Sequence, residues 1–231
     1  MSQMTPHIAV LGAPGVGKRS LVAALVGNSS CNEPSATPWS IHTKYYTADV
    51  ALQVQAIGRD SSQPDRSSSS APEFDAEAVV LVFDATRPES FSAIQAWASG
   101  KAEATEGAGV RLVVCTHVDL CPWSPPAAHA SSAPKSVSPD PSPPASNQQP
   151  SSRPQWLVEA MDWCAQECYE YVECSATDAA VDAQLRLEGD LQGIARVTEA
   201  LEVRAHGAKS ILLLIVSEVA CLHQTRACMR M

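Results

Sequence analysis

Short apolar runs alternate along this chain with longer segments whose apolar positions recur every three or four residues. HIAVLG (7–12) predicts a strand, and GKRSLVAALVG (17–27) predicts a helix with Leu21/Leu25 and Val22/Val26 on adjacent i, i+4 rows. In KYYTADVALQVQAIG (44–58), the apolar residues Val50, Leu52 and Val54, with a shifted Ala56, alternate along the stretch, which predicts one or two strands. AEAVVLVFDA (76–85) carries six apolar residues in a row before Asp84 and predicts a strand buried on both faces. PESFSAIQAWASGKAEA (88–104) predicts a helix with proline in its first turn. VRLVVCTHVD (110–119) predicts a second buried strand. QWLVEAMDWCAQECYE (155–170), YVECSA (171–176) and GDLQGIARVTEALEVRAH (189–206) predict a helix, a strand and a last helix. Leu191, Ile194, Val197, Leu201 and Val203 would line the apolar side of that last helix. Strands alternating with helices of this size imply an α/β fold with a mostly parallel, doubly wound sheet and helices on both faces. Such sheets take their ligands at the carboxyl ends of the strands.

Two stretches interrupt the pattern. CPWSPPAAHASSAPKSVSPDPSPPASNQQPSSRP (121–154) holds 10 of the chain's 17 prolines and nine serines without any apolar period, so it lacks the surface to fold alone. GRDSSQPDRSSSSAP (58–72) has the same character. The expected organisation is one domain over residues 5–206, interrupted by disordered insertions at 58–72 and 121–154, with an atypical tail at 207–231.

Composition narrows the partners. Sixteen Lys and Arg against 25 Asp and Glu leave a formal charge of −9, which gives no basic face for nucleic-acid phosphates or anionic lipid. Eight cysteines without a CxxC pair read as reduced thiols. Cys164 and Cys168 share an i, i+4 face, but no histidine accompanies them, so packing is the better reading than metal ligation. The apolar run near the N-terminus is too short for a signal segment, and SILLLIVSEVACL (210–222) is too short to span a bilayer. A cytosolic protein without an integral membrane segment is expected.

The chemistry sits at the ends of the strands. Gly12 to Lys18 fits GxxxxGK, a loop whose glycines let backbone N–H groups wrap phosphates while the lysine meets their charge. AVVLVFDATRPESF (78–91), CTHVDL (115–120) and ECSAT (173–177) follow in order. Together these segments resemble the Ras-like small GTPases, and Rab proteins in particular, over most of residues 7–205. The resemblance implies a Ras/Rab-like P-loop fold that binds GTP or GDP. Gly12, Gly15, Val16, Gly17, Lys18, Arg19 and Ser20 stand at its phosphate and metal positions. Thr116 and Asp119 stand at its guanine-reading NKxD, and Ser175 and Ala176 in its last loop.

The departures fall on catalysis. The family's Mg²⁺ ligand after the loop lysine is a hydroxyl, and here it is Arg19, a fixed cation with no acceptor. Ser20 points about 100° away on the helix and does not replace it. The aspartate of DxxG is Gln55, and the water-orienting glutamine is replaced by Arg59 and the serine-rich insertion. NKxD reads Thr116-His117-Val118-Asp119, keeping only the carboxylate. Nucleotide binding is therefore expected to be weak, Mg²⁺ to be a poor fit, and hydrolysis to be little or none.

TPWSIHTKYYTADVALQV (37–54) occupies the place of the family's first switch and second strand. With Pro38, Trp39, Ile41, Lys44, Tyr45, Tyr46, Ala48 and Asp49 it resembles the alpha- and gamma-adaptin-binding proteins, whose Rab-like domain often carries degraded nucleotide motifs. That resemblance implies a partner, the large subunits of clathrin adaptor complexes, and a role in adaptor assembly or clathrin-mediated vesicle traffic. Trp39, Tyr45, Tyr46 and Asp49 are its candidate partner-binding residues. The alternative is a Rab-like small GTPase, although the terminal CMRM departs from the usual prenylation pattern.

Overall fold

A computed structural model of the chain describes residues 5–27, 36–57, 76–101, 105, 107–123 and 153–202. In order they form β1 (His7–Gly12), α1 (Lys18–Val26), β2 (Thr37–His42), β3 (Thr47–Ala56), β4 (Ala78–Asp84), α2 (Pro88–Gly100) and β5 (Val110–Thr116). A 3₁₀ turn at Val118–Leu120 follows, then α3 (Gln155–Gln166), β6 (Glu170–Glu173), α4 (Ala179–Asp182), β7 (Arg186–Leu187) and β8 (Asp190–Leu191). Residues 194–202 form a last helix, α5. The main sheet has the order β2-β3-β1-β4-β5-β6, parallel except for the antiparallel β2–β3 pair. The expected α/β, doubly wound fold is the observed one.

Alternation along the central strands builds two cores, one on each face. Ala9, Leu11, Val79, Leu81, Phe83, Val113 and Cys115 join Phe91, Ile94 and Ala98 of α2 and Leu157, Ala160 and Cys164 of α3. The intervening residues Ile8, Val10, Val80, Val82, Leu112 and Val114 join Leu21, Val22 and Leu25 of α1 and Val197, Ala200 and Leu201 of α5. A continuous apolar run is thus what a strand sandwiched between helices requires, because both its faces leave water. Each fully buried aliphatic side chain contributes about 1.5–3 kcal/mol, which dominates the stability of the scaffold.

Several expectations change on folding. The stretch 37–54 is a hairpin of β2 against β3, with Pro38 opposite Ala51, Ser40 opposite Asp49 and His42 opposite Thr47. The last helix starts at 194, five residues later than expected, because Arg186–Leu187 and Asp190–Leu191 form a small hairpin turned by Gly189 at φ 97. Leu191 consequently lies exposed rather than on a helical face. Helix α3 ends at Gln166, and Cys168 beyond it adopts φ 56 and is exposed while Cys164 is buried. The two thiols therefore share no face. At the margins of the expected second insertion, Cys121 is buried and Arg153 pairs with Glu173. Residues 58–72, most of 121–154 and the tail at 207–231 lie outside the described residues.

Candidate functional site

Gly12 ends β1 and opens the loop. A Cβ there would lie 2.2 Å from the Val82 carbonyl oxygen of β4, so only glycine permits the sheet to stay closed beneath the loop. Gly15 and Gly17 adopt φ 76 and φ 82, the left-handed conformations that curl the backbone before α1. Val16 is fully buried, so this position offers a ligand only its backbone. Gly17 serves as the N-cap of α1 without a side-chain cap, and the first turn carries no acidic residue. The N–H groups there are the positive end of the helix and are suited to an anion.

Lys18 lies inside the loop. Its ammonium donates to the carbonyl oxygens of Gly12 at 2.8 Å and Ala13 at 2.7 Å. Burial, followed by the neighbouring charge of Arg19, pushes its pKa below the ordinary lysine value. That repulsion is relieved by an anion brought to the loop. Arg19 and Ser20 are both exposed.

The strand ends around the loop are bound to one another. Thr116, at the end of β5, places its hydroxyl 2.8 Å from Val16 O and 2.9 Å from Phe83 O. It ties together the phosphate loop, β4 and β5. Asp119 receives the Ser175 hydroxyl at 2.7 Å, with the Thr177 hydroxyl 3.4 Å from its other oxygen. Ser175 is fixed in turn: its N–H donates to Asp182 at 2.8 Å, and its hydroxyl accepts from Asp178 N–H at 3.1 Å. Asp119 and Ser175 are thus bonded to one another, and the adjoining Ala176 is half-buried.

Beneath ECSAT, buried Glu173 is held by a bidentate Arg153 pair at 2.9 and 2.8 Å and by the Tyr171 hydroxyl at 3.2 Å. Charge and hydrogen bonds thereby compensate its desolvation.

Folding also assembles a cluster around Asp84 that no motif marks. Asp84 Oδ1 accepts from the Thr86 N–H at 2.9 Å and its hydroxyl at 2.6 Å. Its Oδ2 takes Arg87 Nε at 2.9 Å and lies 3.0 Å from His117 Nδ1. Burial raises the Asp84 pKa, but Thr86, Arg87 and His117 outweigh it and hold the carboxyl below its ordinary value. His117, in the left-handed region at φ 57, lays its ring against Gly17. An aspartate after a buried strand is an ordinary turn residue. The sequence signal for it is the arginine three residues on, immediately before Pro88, at the N-cap position of α2.

These residues fit a nucleotide's phosphates: a glycine cradle, a buried lysine and an uncapped helix start converge on one spot. They do not fit Mg²⁺. Arg19 brings a second cation where a hydroxyl ligand is needed, Gln55 at the end of β3 brings no charge, and the described residues hold no group of three His, Cys, Asp or Glu able to bind a metal.

The candidate partner residues separate. Trp39, 8% exposed, packs with Ile41, Val50 and Leu52 in one core. Tyr46 is partly buried, and its hydroxyl donates to the Glu202 carbonyl of α5. Tyr45 is 75% exposed at the hairpin turn, with Lys44 Nζ 4.6 Å from its ring centroid. Asp49 is exposed and accepts from Ser40 Oγ at 2.7 Å.

No helix of the described residues is long and apolar enough to cross a membrane. No individually curated protein matches the chain. A family model described as Ras family matches residues 7–185 of its 231 residues. With the strand order, the phosphate loop and the assembled Asp119–Ser175 pair, that match shows that this chain belongs to the Ras family.

Proposed function

We propose that this Ras-family protein is a pseudo-GTPase scaffold: it holds a guanine nucleotide as structure, hydrolyses it little or not at all, and acts by binding other proteins. The observation that carries the reading is the phosphate loop itself. Its cradle and lysine are in place, while the hydroxyl position is Arg19 and the metal-holding carboxylate position is Gln55. Phosphoryl transfer needs a metal bridging the phosphates and a positioned water, and losing each such part typically removes about 3–4 kcal/mol of transition-state stabilisation. Binding needs only the cradle, the lysine and Asp119. These residues would hold the phosphates on the loop and the base against Asp119.

The partner class is the large subunits of clathrin adaptor complexes, met in the cytosol, in adaptor assembly or vesicle traffic. The resemblance of PW-x-I-x-x-KYY-x-AD to adaptin-binding proteins supports it, together with the exposure of Tyr45 and Lys44 at the tip of the β2–β3 hairpin. An exposed aromatic beside a cation suits the anchor of an interface. Retention of adaptor large subunits by the immobilised full chain, and its loss on Tyr45→Ala, is the expected result. Equal retention by the variant would remove the hairpin from the interface, and no retention of any large subunit would sink the partner assignment.

The second reading is a Rab-like GTPase with weak hydrolysis, which the assembled Asp119–Ser175 pair favours. Single-turnover GTP hydrolysis in Mg²⁺ decides between them: release of phosphate clearly above the buffer blank would establish an enzyme.

A further inference from the structure

A cation from outside the loop motif stands against the phosphate loop. Arg87 is set by its backbone, whose N–H donates to Asp84 O at 3.0 Å and whose carbonyl accepts from Ser90 Oγ at 2.6 Å. Its side chain is set by Asp84, which takes Nε at 2.9 Å. That bond engages one edge of the guanidinium and turns the other toward the loop. A Cβ built on Gly15 would lie 3.5 Å from Nη2 and 3.9 Å from Nη1. Arginine carries five N–H donors in a planar fork, and the Asp84 bond through Nε uses one of them. Thr86 and His117 share the Asp84 charge, so the carboxylate does not depend on the arginine's terminal nitrogens. The fork is therefore oriented in advance at the edge of a loop that receives polyanions, and its side chain, 39% exposed, remains within reach of one.

Lys18, Arg19 and Arg87 bring three basic side chains to a loop that does not fit a metal. We infer that Arg87 is a phosphate-binding residue of this site, supplying within the chain the positive charge that a divalent cation would otherwise bring, so that guanine nucleotide is held without Mg²⁺. The inference rests on the nucleotide-holding reading proposed above. Its basis is geometric: Arg87 has its near edge on Asp84 and its far edge on Gly15. Arg87 binds and orients, and no chemical step is assigned to it.

Calorimetric titration of the full chain with GDP and GTP, in EDTA and in Mg²⁺, tests the role with Arg87→Gln and Arg87→Lys alongside the wild type. Wild-type affinity should be the same within about two-fold with and without the metal. Arg87→Gln can keep a hydrogen bond to Asp84 but loses the charge, and should weaken binding in EDTA by roughly ten-fold or more, as expected for a charge-assisted contact. Arg87→Lys should recover part of that loss. The nucleotide-free melting temperatures of the three proteins should agree, because the Asp84 turn retains its other partners. Binding that depends strongly on Mg²⁺, or Arg87→Gln binding as tightly as wild type, would overturn the role of Arg87 and leave the nucleotide reading standing. The absence of heat with either nucleotide under both conditions would overturn the nucleotide reading and the role of Arg87 together.

Discussion

The hydroxyl of Thr116 stands 2.8 Å from the carbonyl oxygen of Val16, joining the end of β5 to the phosphate loop across 100 residues of sequence. The same hydroxyl lies 2.9 Å from Phe83 O, so three chain segments converge on one small side chain. Thr116→Val preserves shape and removes the single hydroxyl proton shared by two buried carbonyl acceptors. We expect a loss of about 1–2 kcal/mol in urea unfolding, with weaker nucleotide binding as the loop loosens. Unchanged unfolding would show that the tether contributes nothing.

Gly12→Ala should be far more damaging than its size suggests. The new methyl would sit 2.2 Å from Val82 O, a backbone atom of the central strand. Relief demands that β1 and β4 separate, and we expect a cost of about 3 kcal/mol, read as a lowered midpoint in chemical denaturation. Gly27→Ala is the contrast, since nothing lies within 4 Å of a Cβ there and only the left-handed φ of 71 opposes it.

Acid should loosen the Asp84 cluster. Its folded pKa is depressed, so the ionised carboxyl stabilises the fold above the ordinary carboxylate range. That contribution is lost as pH falls through about 4 toward the lower folded value. Melting curves between about pH 6 and pH 3 should therefore fall more steeply for wild type than for Asp84→Asn, which is expected to start about 1 kcal/mol lower at neutral pH. Parallel curves would contradict the assignment.

Asp182 joins the ECSAT loop to the start of α5 by accepting Ser175 N–H at 2.8 Å on one oxygen and Ile194 N–H at 2.9 Å on the other. Asp182→Ala frees both donors at the ECSAT loop and at the start of α5. We expect about 2–3 kcal/mol of destabilisation and faster amide exchange at Ser175 and Ile194. Burial raises the Asp182 pKa despite both bonds, so its ionisation weakens the fold as pH rises through about 4, opposite in sign to Asp84.

Trp39→Ala and Tyr45→Ala should behave as opposites. Trp39 is a core residue, and its truncation should cost about 3–5 kcal/mol, so a binding defect in that variant would report misfolding. Tyr45 is exposed, and its truncation should leave the melting temperature within a degree or two while removing adaptor retention. Loss of stability in Tyr45→Ala would argue for a structural role instead.

By itself the sequence determined the scaffold. Buried strands such as AVVLVF and VRLVVC carry apolar residues on both faces, and helices such as LVAALV carry them on one stripe, so the layers follow from which surfaces must leave water. GxxxxGK and Asp119 were legible because backbone geometry and phosphate charge demand glycine and lysine at fixed spacing. Arg19 and Gln55 were legible too, since a cation and an amide replace groups whose chemistry is specific.

Only the tertiary structure decided how the strand ends meet. Thr116 became a tether, Trp39 a core side chain and Tyr45 a surface one, although Trp39 and Tyr45 sit six positions apart in one hairpin. The hairpin at 186–191 delayed α5 because two turn glycines, Gly189 and Gly193, outweighed the apolar spacing of Leu191. The Asp84–Arg87–His117 cluster joins residues up to 33 positions apart, and no local pattern encodes such a contact. Periodicity records which face of an element is buried. Which side chains become neighbours at the carboxyl edge of a sheet is fixed by strand order, and strand order is a property of the whole chain.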